Sequence, residues 1–287
     1  MDFTDFRSTT NDSSARVENY VGMIHEYYKM VTPLYREGWG DSFNFPPFGV
    51  TESLEDATAA QERSIADEGG FRPGWRVLDV GCGVGRPALT IAAHSGAAVA
   101  GVNISPDQLP IARGLAARRG LSDLVRFVAG DALRMPFQPG SFDAAYVIQS
   151  MCHAPDKRAA YREIARVVRP RGVFLGNDWL CRDRITRAEY AEYIEPICRS
   201  WALPHLISLS QLAEHLAHAG FHVSELGDVA ERGDMTPNWE LFEAKSRSLA
   251  DRQEQPPAVR LMREAVDSVV RAARAGMFLV GYWHAVK

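Results

Sequence analysis

The chain has 287 residues, of which 46% are hydrophobic and 24% are charged, and its formal net charge is −4. Such a chain can bury a core and stay soluble, and it lacks the basic excess that nucleic acids or anionic membranes attract, so we expect no nucleic-acid partner and no stable membrane insertion. The start of the chain lacks a signal-peptide pattern and no segment approaches the ~20 apolar residues of a membrane span, which predicts a cytoplasmic protein.

The N-terminal part is predicted to be helical after a mobile start. Residues 1–15 are polar and rich in Ser, Thr, Asp and Asn, which indicates mobility. Apolar and aromatic residues recur at helical spacing over 16–36, and a second helix is expected over 52–68. A loop rich in Gly, Pro and aromatic residues separates them at 37–48. We interpret residues 1–70 as a helical lid or cap segment.

Beyond residue 75, strands and helices alternate. Strands are predicted at Arg76–Val80, Ala98–Val102, Val125–Ala129, Phe142–Ile148, Val173–Asn177, Val223–Leu226 and Phe278–Ala285, and helices at 86–95, Pro106–Arg119, Lys157–Val168 and 257–274. Residues 183–219 are predicted to form a helical cap with two internal prolines. This order predicts an α/β protein with a Rossmann-like, doubly wound, mostly parallel seven-stranded sheet and helical cap elements.

A buried strand runs into the glycine-rich turn Gly81-Cys82-Gly83-Val84-Gly85. Glycines at the carboxyl end of a parallel strand allow a ligand to approach the backbone closely. The last glycine of the G-x-G-x-x-G pattern is missing, so a tight structural turn is the alternative. Three features at the carboxyl ends of successive strands favour a ligand site. Asp79 can orient the turn or accept hydrogen bonds from an ammonium group, Asp131 suits the amino group of an adenine, and the run Met135–Asp143 leads into the fourth strand.

Several runs resemble the class I S-adenosylmethionine-dependent methyltransferases: VLDVGCGVG, GDALRMPF, GSFDAAYVIQS and EIARVVRPRG. More narrowly, YYKMVTPLYREGWGDSFNF at 27–45, GCGVGRPA at 81–88, CHAPDK at 152–157, GNDWL at 176–180 and PNWELF at 237–242 resemble the sterol C-24 methyltransferases and their relatives that act on other isoprenoids and natural products. The resemblance covers most of residues 20–245. It implies S-adenosylmethionine as the cofactor, bound by a core at 71–182, with a cap insertion at 183–220 and the last strands at 221–287.

The resemblance also implies a set of cofactor-binding residues. The methionine part would meet Gly81, Cys82, Gly83, Gly85 and Gln149, and the adenine would meet Asp131 and Ala132. Most class I enzymes have an acidic residue for the ribose at the end of the second strand, where this chain has Asn103. Asn103, Ile104 and Gln108 would take its place, with weaker hydrogen bonds than a carboxylate makes.

The methyl acceptor is predicted from the aromatic content. Methylation of an alkene leaves a carbocation, which aromatic faces stabilise. The candidates for that role are Tyr20, Tyr27, Trp39, Phe45, Tyr193, Trp201 and Trp239. Core packing is the alternative for each of them. Trp39 is favoured because it lies between glycines in the predicted loop.

The group that removes a proton from the carbocation, or traps it, and so ends the reaction is less defined. Sterol-type enzymes carry an acidic residue where this chain has Gln149, and glutamine accepts no proton at neutral pH. Gln149 stays a catalytic candidate because the resemblance places it near the reacting methyl, and the other catalytic candidates are His153, Asp178 and Tyr28. The alternatives are structural roles. His153 would form a hydrogen bond that fixes the loop after the fourth strand, and Asp178 would be a helix cap or loop anchor after the fifth strand. Without a strong base, an internal nucleophile of the substrate would trap the cation and close a ring.

We therefore predict a carbon methyltransferase that acts on the alkene of a prenyl or terpenoid side chain in a specialised metabolite, a small hydrophobic substrate. The alternatives are an O- or N-methyltransferase of sugars or antibiotics, a sterol C-methyltransferase, a nicotinamide dehydrogenase and a binding module without catalysis. The four cysteines form no C-x-x-C pair, so we expect no metal site. A homo-oligomer with a shared N-terminal helix is left open.

Overall fold

The computed structural model describes residues 2–50, 52–251 and 255–287. Its centre is a seven-stranded sheet in the order β3-β2-β1-β4-β5-β7-β6. The strands are β1 (Arg76–Val80), β2 (Ala98–Asn103), β3 (Val125–Ala129), β4 (Phe142–Ile148), β5 (Val168–Cys181), β6 (His222–Asp228) and β7 (Phe278–Val286). The pairs among β1 to β5 are parallel, and β7 is antiparallel to β5 and β6. The predicted Rossmann-like, mostly parallel sheet is confirmed.

Helices cover both faces of the sheet and one end of it. They are α1 (Phe3–Asn11), α2 (Ser13–Glu18), α3 (Tyr20–Trp39), α4 (Leu54–Glu68), α5 (Arg86–Ser95), α6 (Gln108–Arg118), α7 (Lys157–Val167), α8 (Arg187–Glu189), α9 (Glu195–Ser200), α10 (Leu209–His218), α11 (Thr236–Ala250) and α12 (Pro257–Arg274). Helices α4, α5 and α6 bury one face, and α7 and α10 bury the other. None of the described helices is long and apolar enough to cross a bilayer.

The strand order reverses between β1 and β4. These two strands are parallel, so their carboxyl ends lie at the same edge of the sheet. Open α/β sheets bind ligands in the crevice outside such a reversal. A third hydrophobic cluster, built by α1, α3, α9, α11 and α12, lies beside this edge. The fold thus brings the glycine-rich turn and the aromatic helices to one place.

The predicted mobile start is wrong for residues 2–15. Asp2 and Asp12 cap α1 and α2 through hydrogen bonds to backbone N–H groups. Phe6 is 1% exposed, so burial of its ring holds α1 against the third cluster. Arg16 is equally buried and forms a 2.8 Å ion pair with Glu195. These long-range contacts are invisible in a polar sequence.

Three other features of the helices differ from the prediction. Residues 183–219 do not form one helix, because the chain leaves helical geometry at Ala202, whose φ is 53°, and Pro204 follows. Helix α11 was not predicted. Helix α3 continues to Trp39 and tolerates Pro33 in its interior, so Trp39 is not a loop residue.

Candidate active site

An open cleft of about 1270 Å³, part of which is solvent at its mouth, lies at the carboxyl ends of β1, β2, β3 and β4 under helix α3. Its floor includes the predicted residues Gly81, Cys82, Gly83, Asn103, Ile104, Gln108, Asp131, Ala132 and Gln149. Its other end is lined by Tyr28, Tyr35, Phe43, His153, Trp179 and Trp201. One cavity therefore has a polar floor of strand ends and an aromatic end.

The three glycines of the turn play different parts. All have positive φ, which L side chains rarely adopt. A Cβ on Gly81 would collide with Ser150 at 2.4 Å, and one on Gly85 would collide with Phe127 at 2.6 Å. A Cβ on Gly83, whose φ is 54°, would meet no atom within 4 Å. Gly81 and Gly85 are therefore required by packing, whereas Gly83 leaves room in the cleft for a ligand.

Asp79 lies behind the turn and is not part of the cleft lining. It is 2% exposed, and its Oδ2 has no hydrogen-bond partner among the described residues. Burial raises the pKa of this carboxyl to about 7. The contact of Asp79 with the ammonium group of the cofactor stays a prediction.

Amides occupy the end of β2, where the ribose of the cofactor is expected. Asn103 Nδ2 donates to Gln108 Oε1 at 2.8 Å, and Gln108 Nε2 donates to Thr32 Oγ1 of α3 at 3.2 Å. His25 Nε2, also on α3, donates to the Ile104 carbonyl at 2.7 Å. The predicted ribose residues are thus hydrogen-bonded to helix α3.

Asp131, also in the cleft lining, is hydrogen-bonded to α3 as well. Its Oδ1 accepts a hydrogen bond from the Leu133 N–H at 2.9 Å, and its Oδ2 accepts one from the Tyr20 hydroxyl. Tyr20, predicted to bind substrate, therefore bonds the residue that is predicted to meet the adenine. The Gly83 space, the amide pair and this carboxylate form a groove that fits S-adenosylmethionine.

Tyr28 and His153 form a hydrogen-bonded pair in the cleft wall. The His153 Nδ1–H donates to the Ala202 carbonyl at 3.3 Å, which leaves Nε2 as the acceptor for the Tyr28 hydroxyl at 2.9 Å. Burial lowers the pKa of His153 to about 4, so the ring is neutral at pH 7. Burial also raises the pKa of Tyr28 well above its usual value. The pair can pass a proton from the cleft to Nε2.

Asp178, another predicted catalytic residue, lies outside the cleft lining and is 2% exposed. Burial raises its pKa to about 6. Its neighbour Lys157 is 4% exposed, and the Lys157 ammonium donates to the carbonyls of Cys152 and Ala154 at 2.8 and 2.7 Å. These two hydrogen bonds hold the turn that carries His153.

Replacing Lys157 with methionine is expected to lower the free energy of unfolding by about 3 kcal/mol, because the buried carbonyls of Cys152 and Ala154 lose their donor and the buried Asp178 carboxyl loses a nearby positive charge. Urea denaturation measures the loss. The matched change Lys29→Met, on the exposed face of α3, should leave stability within about 0.5 kcal/mol. A loss below about 1 kcal/mol at Lys157 would contradict this role.

The predicted substrate-binding aromatics divide into two groups. Tyr20 and Trp201 line the cleft. Tyr27, Trp39, Phe45, Tyr193 and Trp239 lie outside its lining and pack in or against the third cluster. Phe45 stacks on Trp179 with ring centroids 5.2 Å apart, and so supports a wall residue from behind.

The prediction did not single out several lining residues: Ile24, Thr32, Tyr35, Arg36, Phe43, Met151 and Trp179. A signal for three of them, Ile24, Thr32 and Arg36, exists in α3. Tyr20, Ile24, Tyr28, Thr32 and Arg36 follow at four-residue intervals and share one face of the helix. The neighbouring face, with Met23, Tyr27 and Val31, is buried in the third cluster.

Residues 78–176 match a family model described as a methyltransferase domain. A sterol 24-C-methyltransferase of Gibberella zeae is 38% identical over 233 residues, which cover 78% of this chain and 60% of that protein. The structure of the [4+2]-cyclase SpnF superposes with a TM-score of 0.78 and 29% identity, covering 92% of this chain and 95% of SpnF.

The geranyl diphosphate C-methyltransferase of Streptomyces coelicolor A3(2), solved with Mg²⁺, geranyl diphosphate and S-adenosyl-L-homocysteine, superposes with a TM-score of 0.71. Its identity is 18% over 93% of this chain and 97% of that chain, which supports the shared fold. The chain spans about 60% of the length of the curated relatives that it matches.

Proposed function

The chain belongs to the class I S-adenosylmethionine-dependent methyltransferases, and on that premise we propose that it methylates a carbon of an alkene in a prenyl or terpenoid side chain. The observation that carries the proposal is the aromatic end of the cleft, where Tyr35 and Phe43 stack 4.1 Å apart beside Trp201. Faces of electron-rich rings stabilise a carbocation and exclude the water that would quench it.

In this proposal the cofactor groove positions the donor. S-adenosylmethionine supplies an electrophilic methyl group when bound. Gly83 and the neighbouring backbone leave space for its methionine part, the Asn103–Gln108 pair faces the ribose, and Asp131 faces the adenine. Residues 71–182 act as the binding core and residues 1–70 as a lid, since α3 contributes Tyr20, Thr32 and His25 to hydrogen bonds across the groove.

The Tyr28–His153 pair ends the reaction. A C–H bond next to the cation breaks, and its electron pair forms the new alkene. The Tyr28 oxygen takes the proton as its own hydroxyl proton passes to His153 Nε2. A histidine with a depressed pKa suffices because a proton adjacent to a carbocation is strongly acidic. An internal nucleophile of the substrate is the competing trap and would give a ring, so the product mixture reports the balance between them.

The turnover number should stay level as the pH falls from 7 to about 5 and then drop as it passes about 4, because His153 must be unprotonated and burial lowers its pKa to about 4. Buffered single-turnover rates between pH 3.5 and 8 test this. Circular dichroism at each pH separates titration from acid unfolding, which a neutral buried histidine promotes below about pH 6.5. A midpoint near 6.5 with the fold intact would contradict the assignment.

Labelled S-adenosylmethionine and a panel of acceptors test the function itself. We expect label in terpenoid or prenylated compounds with an alkene and none in sugars or amines. A sterol with a side-chain alkene is the second candidate, favoured by the identity to sterol 24-C-methyltransferases. Transfer to oxygen or nitrogen acceptors alone would overturn the proposal.

A further inference from the structure

Gln149, at the end of β4, pairs its side-chain amide with the backbone of Phe45. Its Oε1 accepts from the Phe45 N–H at 3.0 Å, and its Nε2 donates to the Phe45 carbonyl at 3.2 Å. Oε1 also accepts from Trp179 Nε1 at 2.8 Å, and Nε2 also donates to Asn177 Oδ1 at 3.1 Å. The amide thus makes four hydrogen bonds. Two of them join it to the N–H and the carbonyl of Phe45, as a neighbouring β-strand would.

These partners fix the chemistry that position 149 allows. The Phe45 N–H and the Trp179 indole are donors, so they need an oxygen, whereas the Phe45 carbonyl needs a donor. A carboxylate offers no donor, and an aliphatic side chain offers neither. An amide satisfies both sides at once, and it does so with no capacity left to take a proton from a substrate.

The backbone segment to which Gln149 is hydrogen-bonded also forms hydrogen bonds with helix α4. We call residues 42–45 the strap. Ser42 Oγ donates to Glu62 Oε1 at 2.8 Å, and Asn44 Nδ2 donates to Gln61 Oε1 at 2.9 Å, both on α4. Phe43, between them, lines the cleft. The strap is therefore clamped between α4 and the end of β4, and it carries one wall of the aromatic end.

Gln149 also adjoins the cofactor turn. Its φ is 50°, which aims the chain back towards the sheet, and the next residue, Ser150, donates to the Val80 carbonyl at 2.5 Å. Ser150 fills the space beside Gly81, where a Cβ would collide with it at 2.4 Å. A continuous set of contacts thus runs from the strap through Gln149 to the turn that faces the cofactor.

From this geometry we propose that Gln149 is a positioning residue, a latch that fixes the strap, and with it Phe43, against the turn that binds the cofactor. The effect on turnover rests on the proposed function. The latch itself can be measured without any methyl acceptor, so failure of one is distinguishable from failure of the other.

Gln149→Glu is the sharpest test. Asn177 can turn its amide to offer Nδ2 to a carboxylate, but the Phe45 carbonyl cannot become a donor. An ionised glutamate therefore sets oxygen against oxygen at Phe45, whereas a protonated one regains a donor. The facing Phe45 carbonyl and partial burial disfavour the charged form and raise the pKa of this glutamate above its usual value of about 4.3. The latch of the variant should therefore fail at high pH and recover at low pH.

Other titratable groups lie on the elements around position 149, and both proteins share them: Tyr28 on α3, Glu62 on α4, Cys152 and His153 in the turn after β4, and Asp178 on β5. The ratio of variant to wild type at each pH therefore isolates residue 149. Gln138→Glu, the same change at an exposed position, is the matched control.

Hydrogen exchange of peptides covering 40–48, with S-adenosylhomocysteine bound, gives the first readout. At pH 8 we expect exchange in Gln149→Glu to be at least about tenfold faster than in wild type, the effect of losing one buried hydrogen bond. At pH 5.5 the ratio should shrink towards one, and Gln138→Glu should match wild type at both. Equal exchange in Gln149→Glu and wild type at pH 8 overturns the latch.

Turnover gives the second readout. The kcat of Gln149→Glu relative to wild type should rise from pH 8 to pH 5.5 as the latch reforms, and a ratio that does not change with pH overturns a positioning role. If the variant does not fold, Trp179→Phe removes one of the four hydrogen bonds and should accelerate exchange in the strap about threefold. Unchanged exchange there also counts against the latch.

Discussion

Replacing Gly83 with valine is expected to weaken the binding of S-adenosylhomocysteine by more than about 100-fold. The glycine has a φ of 54° and no atom within 4 Å of a built Cβ, because that space belongs to the cleft. A branched side chain would fill the groove where the ligand must approach the backbone. Isothermal titration calorimetry measures the loss directly, without any knowledge of the methyl acceptor.

Gly120→Val is a closely matched control for this prediction. Gly120, just beyond α6, has a φ of 67°, is exposed and likewise has no atom within 4 Å of a built Cβ. Gly120→Val therefore carries a similar backbone strain of about 1–2 kcal/mol, visible in thermal unfolding, with no ligand beside it. We expect it to bind S-adenosylhomocysteine like wild type. Equal affinity losses in both variants would assign the effect to strain and contradict the assignment of Gly83.

The fold could be read from the sequence because local and global signals agree in the sheet. Each parallel strand is a short apolar run, and the glycine turn follows β1 as the nucleotide-binding pattern requires. The long β5 and the helix α11 were harder. The run Arg169–Gly172 carries turn residues and lies within the bounds of β5, where the pairing with β4 shifts register between Val168 and Val173. Helix α11 has few buried positions: Asn238, Phe242 and Leu249.

The aromatic wall could not be read in the same way. Helix α3 is apolar on two adjacent faces, and periodicity alone does not say which face meets a ligand. Tyr27 and Phe45 were predicted to bind substrate, but the structure buries both at 1% exposure, and Tyr35 and Phe43 are in the lining instead. The hydrogen bonds of Gln149 could not be predicted from the sequence either. Its backbone partner lies 104 positions away, a distance across which no spacing rule operates.

Replacing Tyr28 with phenylalanine is expected to lower kcat by about 100- to 10,000-fold, the usual range for loss of a general acid–base group. The ring and its packing against Tyr27, with centroids 5.3 Å apart, remain. The hydroxyl is lost, and with it the group that passes a proton to His153 Nε2. Single-turnover rates with labelled S-adenosylmethionine measure the change, and S-adenosylhomocysteine affinity should be close to that of wild type.

Tyr35→Phe is the matched control, because Tyr35 also lines the cleft and its buried hydroxyl pairs with Tyr27, not with histidine. Its kcat should fall by less than about tenfold, the effect of one neutral hydrogen bond. In a double-mutant cycle, Tyr28→Phe and His153→Gln should be strongly non-additive, since each breaks the same relay. Additive losses, or equal losses in Tyr28→Phe and Tyr35→Phe, would separate Tyr28 from proton transfer and shift the end of the reaction to a nucleophile within the substrate.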